Sequence, residues 1–165
     1  MRSIRRFITL GALAALSLYA LVPVASAASR HERNIVQTAA AAGQFKTLIA
    51  LAKQAGLAGA LEGKGPFTVF APTDSAFAKV PKATLAHLKH DRNALRAVLL
   101  YHVLKGKVTA ARLVKYRSVR TLNGQSLAVR VKNGTVTVGG ARVIETNIAA
   151  SNGVIHVINR VLIPR

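Results

Sequence analysis

From Asn34 onward the apolar residues Ile35, Ala39, Ala42, Phe45, Leu48, Ile49 and Ala52 recur at spacings of three and four. That period predicts helix, with Asn34 as N-cap and Gly43 as a break into two pieces. Glycines 56, 59, 63 and 65, with Pro66, then punctuate a short helical turn around Leu57 and Leu61 and a loop. Residues 67–71, FTVFA, form a compact β-rich run closed by Pro72 and predict a buried strand. Thr73, Asp74 and Ser75 supply turn and helix-cap chemistry before Ala76 and Phe77. Pro81 suits the first turn of a helix carrying Leu85 and Leu88. A stronger helix starts at Asp91 or Asn93. It places Leu95, Val98, Leu99 and His102 on one face, so His102 points into the core if the helix lasts that long.

From Arg117 the period changes to two. Leu127, Val129 and Val131 alternate with Ala128, Arg130 and Lys132, and Asn133-Gly134 separates them from Val136 and Val138. A two-residue type I′ loop would pair Val131 with Val136 and Val129 with Val138, leaving Arg130 and Lys132 on the solvent face. Two further strands are expected at residues 142–148 and 154–163, separated by Ser151-Asn152-Gly153. The second is apolar almost throughout, as a central strand is. Helices come first and strands later, so the fold class is α+β in one domain, with no internal repeat or linker.

Ahead of this domain, Arg2, Arg5 and Arg6 precede an apolar stretch over residues 7–22, then Pro23 and Ala25-Ser26-Ala27. This predicts a secretory signal peptide over residues 1–27, with a polar, flexible segment at 28–33 and the domain at 34–164. The apolar stretch is near the short end for a spanning helix, and the A-x-A site favours cleavage over an uncleaved anchor. Arg5-Arg6-Phe7 fits a twin-arginine signal only in part. Cleavage leaves no transmembrane segment and an exported chain, periplasmic or secreted.

Charge sharpens the picture. The 165 residues carry 24 Lys plus Arg against 5 Asp plus Glu, a formal +19, and no Cys. Removing the leader takes three of these bases and none of the acids, leaving +16. So few carboxylates leave little room for acid/base pairs or carboxylate metal cages, and the missing thiol excludes disulfides, thiolate nucleophiles and Cys-type zinc sites. The core alone must hold the fold. Ser75, Asp74, His102 and His156 offer the residue types of a hydrolase, but no G-x-S-x-G elbow is present and Ser75 sits in a cap-like turn. His87 and His90, followed by Asp91, have weak metal spacing without a third ligand. The expectation is a non-enzyme without cofactor or metal. Asn133-Gly134-Thr135 is a glycosylation sequon, but the hairpin turn accounts for the same residues.

Nucleic acid is the partner such charge invites. After the leader only Phe45, Phe67, Phe70, Phe77, Tyr101 and Tyr116 are aromatic, and the four Phe belong to the core, so no stacking platform remains. The bases Arg112, Lys115, Arg117, Arg120, Arg130 and Lys132 are scattered singly rather than clustered on a recognition helix. Specific nucleic-acid binding is therefore not expected. An anionic polysaccharide, envelope or matrix component fits a diffuse basic surface formed by these six.

Three segments together carry a pattern: FTVFAPTDSAF at residues 67–77, Tyr101-His102 within LLYHVLKGKVTAARL, and ASNGVIHVINRVLIP at residues 150–164. In order and spacing they resemble the first box, the YH motif and the second box of the fasciclin (FAS1) domain family. The resemblance covers residues 34–164. It implies a β-wedge or sandwich of about seven strands packed with several N-terminal and central helices, and a secreted or surface role in cell adhesion or extracellular matrix interaction. It implies an adhesion role for Tyr101 and His102, whereas the residues themselves point to structural duty for Thr73, Asp74 and His156. Where animal relatives carry an Asp-Ile integrin-recognition element, this chain has Asn147-Ile148, and it has Asn159 and Arg112 where relatives commonly have acids. Losing the carboxylate argues against integrin-type binding, which needs it to complete a metal's coordination. A small-ligand carrier or sensor, using a pocket between the helices and the wedge for a lipid or carbohydrate, is the alternative function.

Overall fold

The computed structural model describes residues 33–165; the expected signal peptide lies outside the described residues. Among the described residues, seven helices and seven strands follow one another as α1 (Ile35–Ala42), α2 (Lys46–Gln54), α3 (Ala58–Glu62), β1 (Phe67–Pro72), α4 (Asp74–Ala78), α5 (Lys82–His90), α6 (Arg92–Tyr101), β2 (Val103–Lys105), α7 (Ala110–Leu113), β3 (Ser118–Arg120), β4 (Ser126–Lys132), β5 (Thr135–Val138), β6 (Ala141–Ala150) and β7 (Gly153–Ile158). The class is α+β, as expected. Asn34 caps α1 in a reciprocal box with Gln37, and Gly43 ends the helix at φ 74°, a left-handed conformation that a side chain would resist. Asp91 caps α6 by accepting from the Asn93 and Ala94 N–H groups.

The strands form one sheet in the order β2-β1-β7-β6-β5-β4-β3. Strands β1 and β7 run parallel, paired from Phe67 with Gly153 to Pro72 with Ile158, so two segments far apart in the chain lie side by side. Every residue of β7 is buried, as its apolar run requires. The hairpin register is the predicted one: Val129 faces Val138 and Val131 faces Val136, with Asn133 and Gly134 at φ 49° and 71°. Its tip nevertheless extends past the core, and Val131 is 50% exposed.

Two expectations are corrected. The last strand ends at Ile158 rather than at residue 163. There Asn159 takes over the ladder, its side-chain Oδ1 accepting from the Arg142 N–H (3.0 Å) while its own N–H donates to the Arg142 carbonyl. The chain then turns, and Val161 and Leu162 are buried outside any strand. Strand β6 is longer than predicted and irregular, with register shifts between Val143 and Ile148 and with Asn147 at φ 59°.

Three apolar clusters make the core. One joins α2, α4, α5 and α6 around Leu51, Phe77, Leu95 and Leu99. Another fills the inner side of the sheet around Phe70, Leu127, Val138 and Ile158, and takes in Tyr101 and Leu162. The third packs α1 on β1 and β7 through Ile35, Phe45, Val69 and Ile155. Each fully buried large side chain contributes about 1.5–3 kcal/mol, so a core without crosslinks is sufficient at this size.

Candidate functional site

Thr73 and Asp74 divide a capping task. The Thr73 hydroxyl accepts from the Ala76 N–H (3.2 Å) and starts its own helix. The Asp74 carboxylate instead reaches back to α2, accepting from Thr47 N–H (2.8 Å) and Lys46 N–H (3.3 Å) at an N-terminus that has no cap of its own. The Thr47 N–H is the main reason its carboxyl group titrates below the usual range, against a smaller opposing effect of burial. Asp74→Ala should therefore destabilise the fold by about 1 kcal/mol, the usual worth of an N-cap, seen as a lower urea midpoint at neutral pH. Because the folded pKa is depressed, this contribution is present above the ordinary carboxylate pKa and is lost as pH falls through the folded value, so wild type and variant should converge in acid.

The YH motif lies inside. His102 ends α6 and is 2% exposed. Its Nε2 accepts from the Leu162 N–H (2.9 Å), which leaves Nδ1–H to donate to the Val98 carbonyl (2.7 Å) and fixes the neutral tautomer. The ring thus ties α6 to the segment after β7. Burial pushes its pKa down to about 4, against the opposing effect of the Val98 bond. Both His102 ring nitrogens are thus engaged inside the fold. Tyr101 is 9% exposed and lines an open groove beside β4 and β5.

His156 is wired the opposite way round. Its Nδ1 accepts from the Asn147 N–H (3.3 Å) and its Nε2–H donates to the Val108 carbonyl (2.7 Å), beside the Phe70 ring. The Thr68 hydroxyl donates to the Gly106 carbonyl and accepts from the Val108 N–H (2.7 and 2.8 Å). Asn147 Oδ1 accepts from the Ala110 N–H (2.9 Å), at the start of α7. Residues 106–110 are thereby clamped to β1, β6 and β7 from several sides. The dipeptide at the position of the integrin element is built into this clamp: Asn147 holds α7, and Ile148 packs against the α1 cluster.

Asn152, expected only as part of a loop, is a dense polar junction. Its Oδ1 accepts from the Ile35 N–H (2.9 Å), its Nδ2 donates to the Leu61 and Gly63 carbonyls (2.6 and 2.9 Å), and its own carbonyl accepts from the Phe67 N–H (2.9 Å). Next to it, the Ser151 N–H donates to the Arg33 carbonyl (2.9 Å). A side-chain amide that serves both as donor and acceptor is what such a junction needs.

All six predicted surface bases are exposed. Arg120, Arg130 and Lys132 alternate with the core residues Val119, Leu127 and Val129, so they share the outer face of β3 and β4. Arg130 pairs with Thr137 on β5, and Thr137 pairs with Arg142 on β6, so Arg142 joins this face two strands away, about 10 Å across. Sequence spacing could not place Arg142 there, because the strand order decides it. Arg112 lies on α7 and Lys115 between α7 and β3, while Arg117 continues the β3 ladder, its carbonyl accepting from the Val129 N–H (2.9 Å), with the parity of Val119 rather than of Arg120.

Two spaces bear on ligand binding. A groove of about 580 Å³ opens between β4, β5 and the segment after β7. Between the helices and the sheet, at the place expected for a carrier pocket, Leu48, Ile49, Leu99, His102 and Ile155 line a space of only about 40 Å³, roughly the room of one water molecule. Among the described residues no group of three His, Asp or Glu side chains is placed to hold a metal, and no helix is long and apolar enough to cross a membrane.

The sequence profile described as Fasciclin domain matches residues 43–164. The chain is 46% identical over 143 residues to Protein sll1483 of Synechocystis sp., covering 86% of this chain and 79% of that one. It is 37% identical over 142 residues to Immunogenic protein MPB70 of Mycobacterium bovis, covering 86% and 69%. Among solved structures, a FAS1 domain pair from the insect cell adhesion molecule fasciclin I superposes with a TM-score of 0.59 at 24% identity, over 74% of this chain and 46% of that chain. This last likeness establishes the fold.

Proposed function

Because the chain belongs to the fasciclin domain family, we propose that it is a non-enzymatic, exported module for adhesion or for contact with the matrix or envelope, acting through its outer basic face. The observation that carries this reading is the row Arg130–Thr137–Arg142, flanked by Arg120 and Lys132, on three neighbouring strands. Four cations on one open face attract an extended polyanion, and extended strands space them regularly along it. The residues that suggested chemistry are otherwise engaged: Asp74 with the α2 amides, His102 with Val98 and Leu162, His156 with Val108 and Asn147. The description of fasciclin I as a cell adhesion molecule agrees with this role. A lipid or sugar carrier would need far more than the space of about 40 Å³ beside His102.

The test is binding to immobilised polygalacturonate, with neutral dextran as reference. Affinity should fall about tenfold or more between about 50 and about 500 mM salt, since each neutralised charge adds to the salt slope. Equal binding at both salt concentrations, or equal binding to dextran, contradicts the electrostatic contact.

A further inference from the structure

The groove beside the basic face is lined from two sides, by β4 and β5 and by the segment after β7. We propose that it is a subsite for one carboxylated sugar unit, a uronate, of an acidic polysaccharide chain; this rests on the basic face being the polysaccharide contact. One wall is Ser126, Ala128 and Arg130 of β4 with Thr137 of β5; the other is the segment after β7, ending in Arg165. Residues 161–163 and Tyr101 supply apolar surface, and Gln125 closes one end, its Nε2 donating to the Arg165 carbonyl (3.1 Å). None of the lining side chains is acidic; the Arg165 main-chain oxygen at one end is engaged by the Gln125 amide.

Each component fits one part of a uronate. A guanidinium presents a planar fork of N–H donors that matches a carboxylate, and Arg130 and Arg165 bring two such forks to the groove. The Ser126 and Thr137 hydroxyls and the Gln125 amide both donate and accept, as ring hydroxyls demand. Ile163, 46% exposed, offers apolar surface to the C–H face of a sugar ring, with only the edges of Tyr101, Val161 and Leu162 beside it. The volume, about 580 Å³, falls within the usual range of about 300–1,000 Å³ for ligand sites. Arg130 belongs both to the groove and to the outer row with Thr137 and Arg142, so a polymer on the face can pass directly into the groove. A lone aromatic makes a poor platform for successive nucleobases, which favours sugar over nucleic acid.

The proposal is tested by titration calorimetry of the purified protein with trigalacturonate, neutral trigalactose, inorganic phosphate and a short single-stranded DNA, alongside the polymer assay above. Trigalacturonate should bind saturably at one site, at least about tenfold more tightly than trigalactose. Millimolar phosphate should leave that binding unchanged. Arg130→Gln should weaken it about tenfold or more, as loss of a charge-assisted contact does. Lys53→Gln, at an exposed base on α2 that belongs neither to the groove lining nor to the basic face, should change it less than about twofold. A thermal melt confirms that both exposed-site variants fold. Polymer binding without a trimer site overturns the subsite and leaves the basic face standing; absence of both overturns the face itself. Displacement by phosphate, equally tight binding of the DNA, or indifference to Arg130→Gln each overturns the uronate assignment.

Discussion

Gly153→Ala is expected to remove the cooperative thermal transition or to lower stability by more than about 4 kcal/mol, the range reserved for severe core and backbone disruption. Gly153 heads the parallel ladder opposite Phe67. A Cβ there would overlap the Phe67 carbonyl oxygen and lie 2.9 Å from the Ile35 Cδ1. The obstacle is mainly backbone and cannot rotate away, so β1 and β7 would have to separate, and with them the α1 cluster built on both. Gly65 meets the same limit on the other side, where a Cβ would overlap the Asn152 carbonyl oxygen. Gly59→Ala is the contrast: nothing lies within 4 Å of its Cβ position in α3, so alanine's helix propensity should make it neutral or stabilising by up to about 1 kcal/mol. Circular dichroism melts of the two variants decide the matter. A Gly153→Ala protein melting within a few degrees of wild type would contradict the close approach.

The second large effect is with pH. Between about pH 7 and about pH 4, His102 should cost the fold roughly 3 kcal/mol. Its folded pKa is about 4 against an ordinary 6.5, and each unit of difference is worth about 1.4 kcal/mol. The sign follows from which state binds the proton. The unfolded chain takes it up first as pH drops below about 6.5, so stability is fully present above that value and declines until the folded protein also protonates near 4. Protonation would place an N–H on Nε2, facing the Leu162 N–H it now accepts from. His156, lowered mainly by burial, adds in the same direction. Urea midpoints measured through this range should fall steeply for wild type, whereas His102→Gln should be less stable at neutral pH but flatter in acid. Equal wild-type stability at about pH 4.5 and about pH 7 would refute the buried neutral imidazole.

What the sequence revealed and what it hid follow one physical division. Local chemistry was legible: the Asn34 and Asp91 caps, the break at Gly43, and the Asn133-Gly134 turn with its register all depend on residues within a few positions of each other. Elements of three or four residues, β2, β3 and α7, are too short to show a period and went unread. The functions of polar side chains were hidden wherever the partner is remote. Asp74 caps a helix 27 residues earlier, Asn152 binds across 117 residues to Ile35, and His102 meets Leu162 across 60. Arg142 joins the basic face only because β5 separates β4 from β6. The family pattern located the boxes without disclosing that their polar residues work mainly as internal fasteners.

The proposed contact with the partner is made by the outer basic face rather than by the buried YH motif. It is tested most directly by the triple variant Arg120→Gln, Arg130→Gln, Arg142→Gln, assayed on polygalacturonate across a salt series. All three side chains are exposed, so its melting temperature should stay within a few degrees of wild type. The triple variant should lose about a hundredfold or less in low-salt affinity and show a distinctly shallower salt dependence. A folded triple variant that keeps wild-type affinity and slope would contradict that contact.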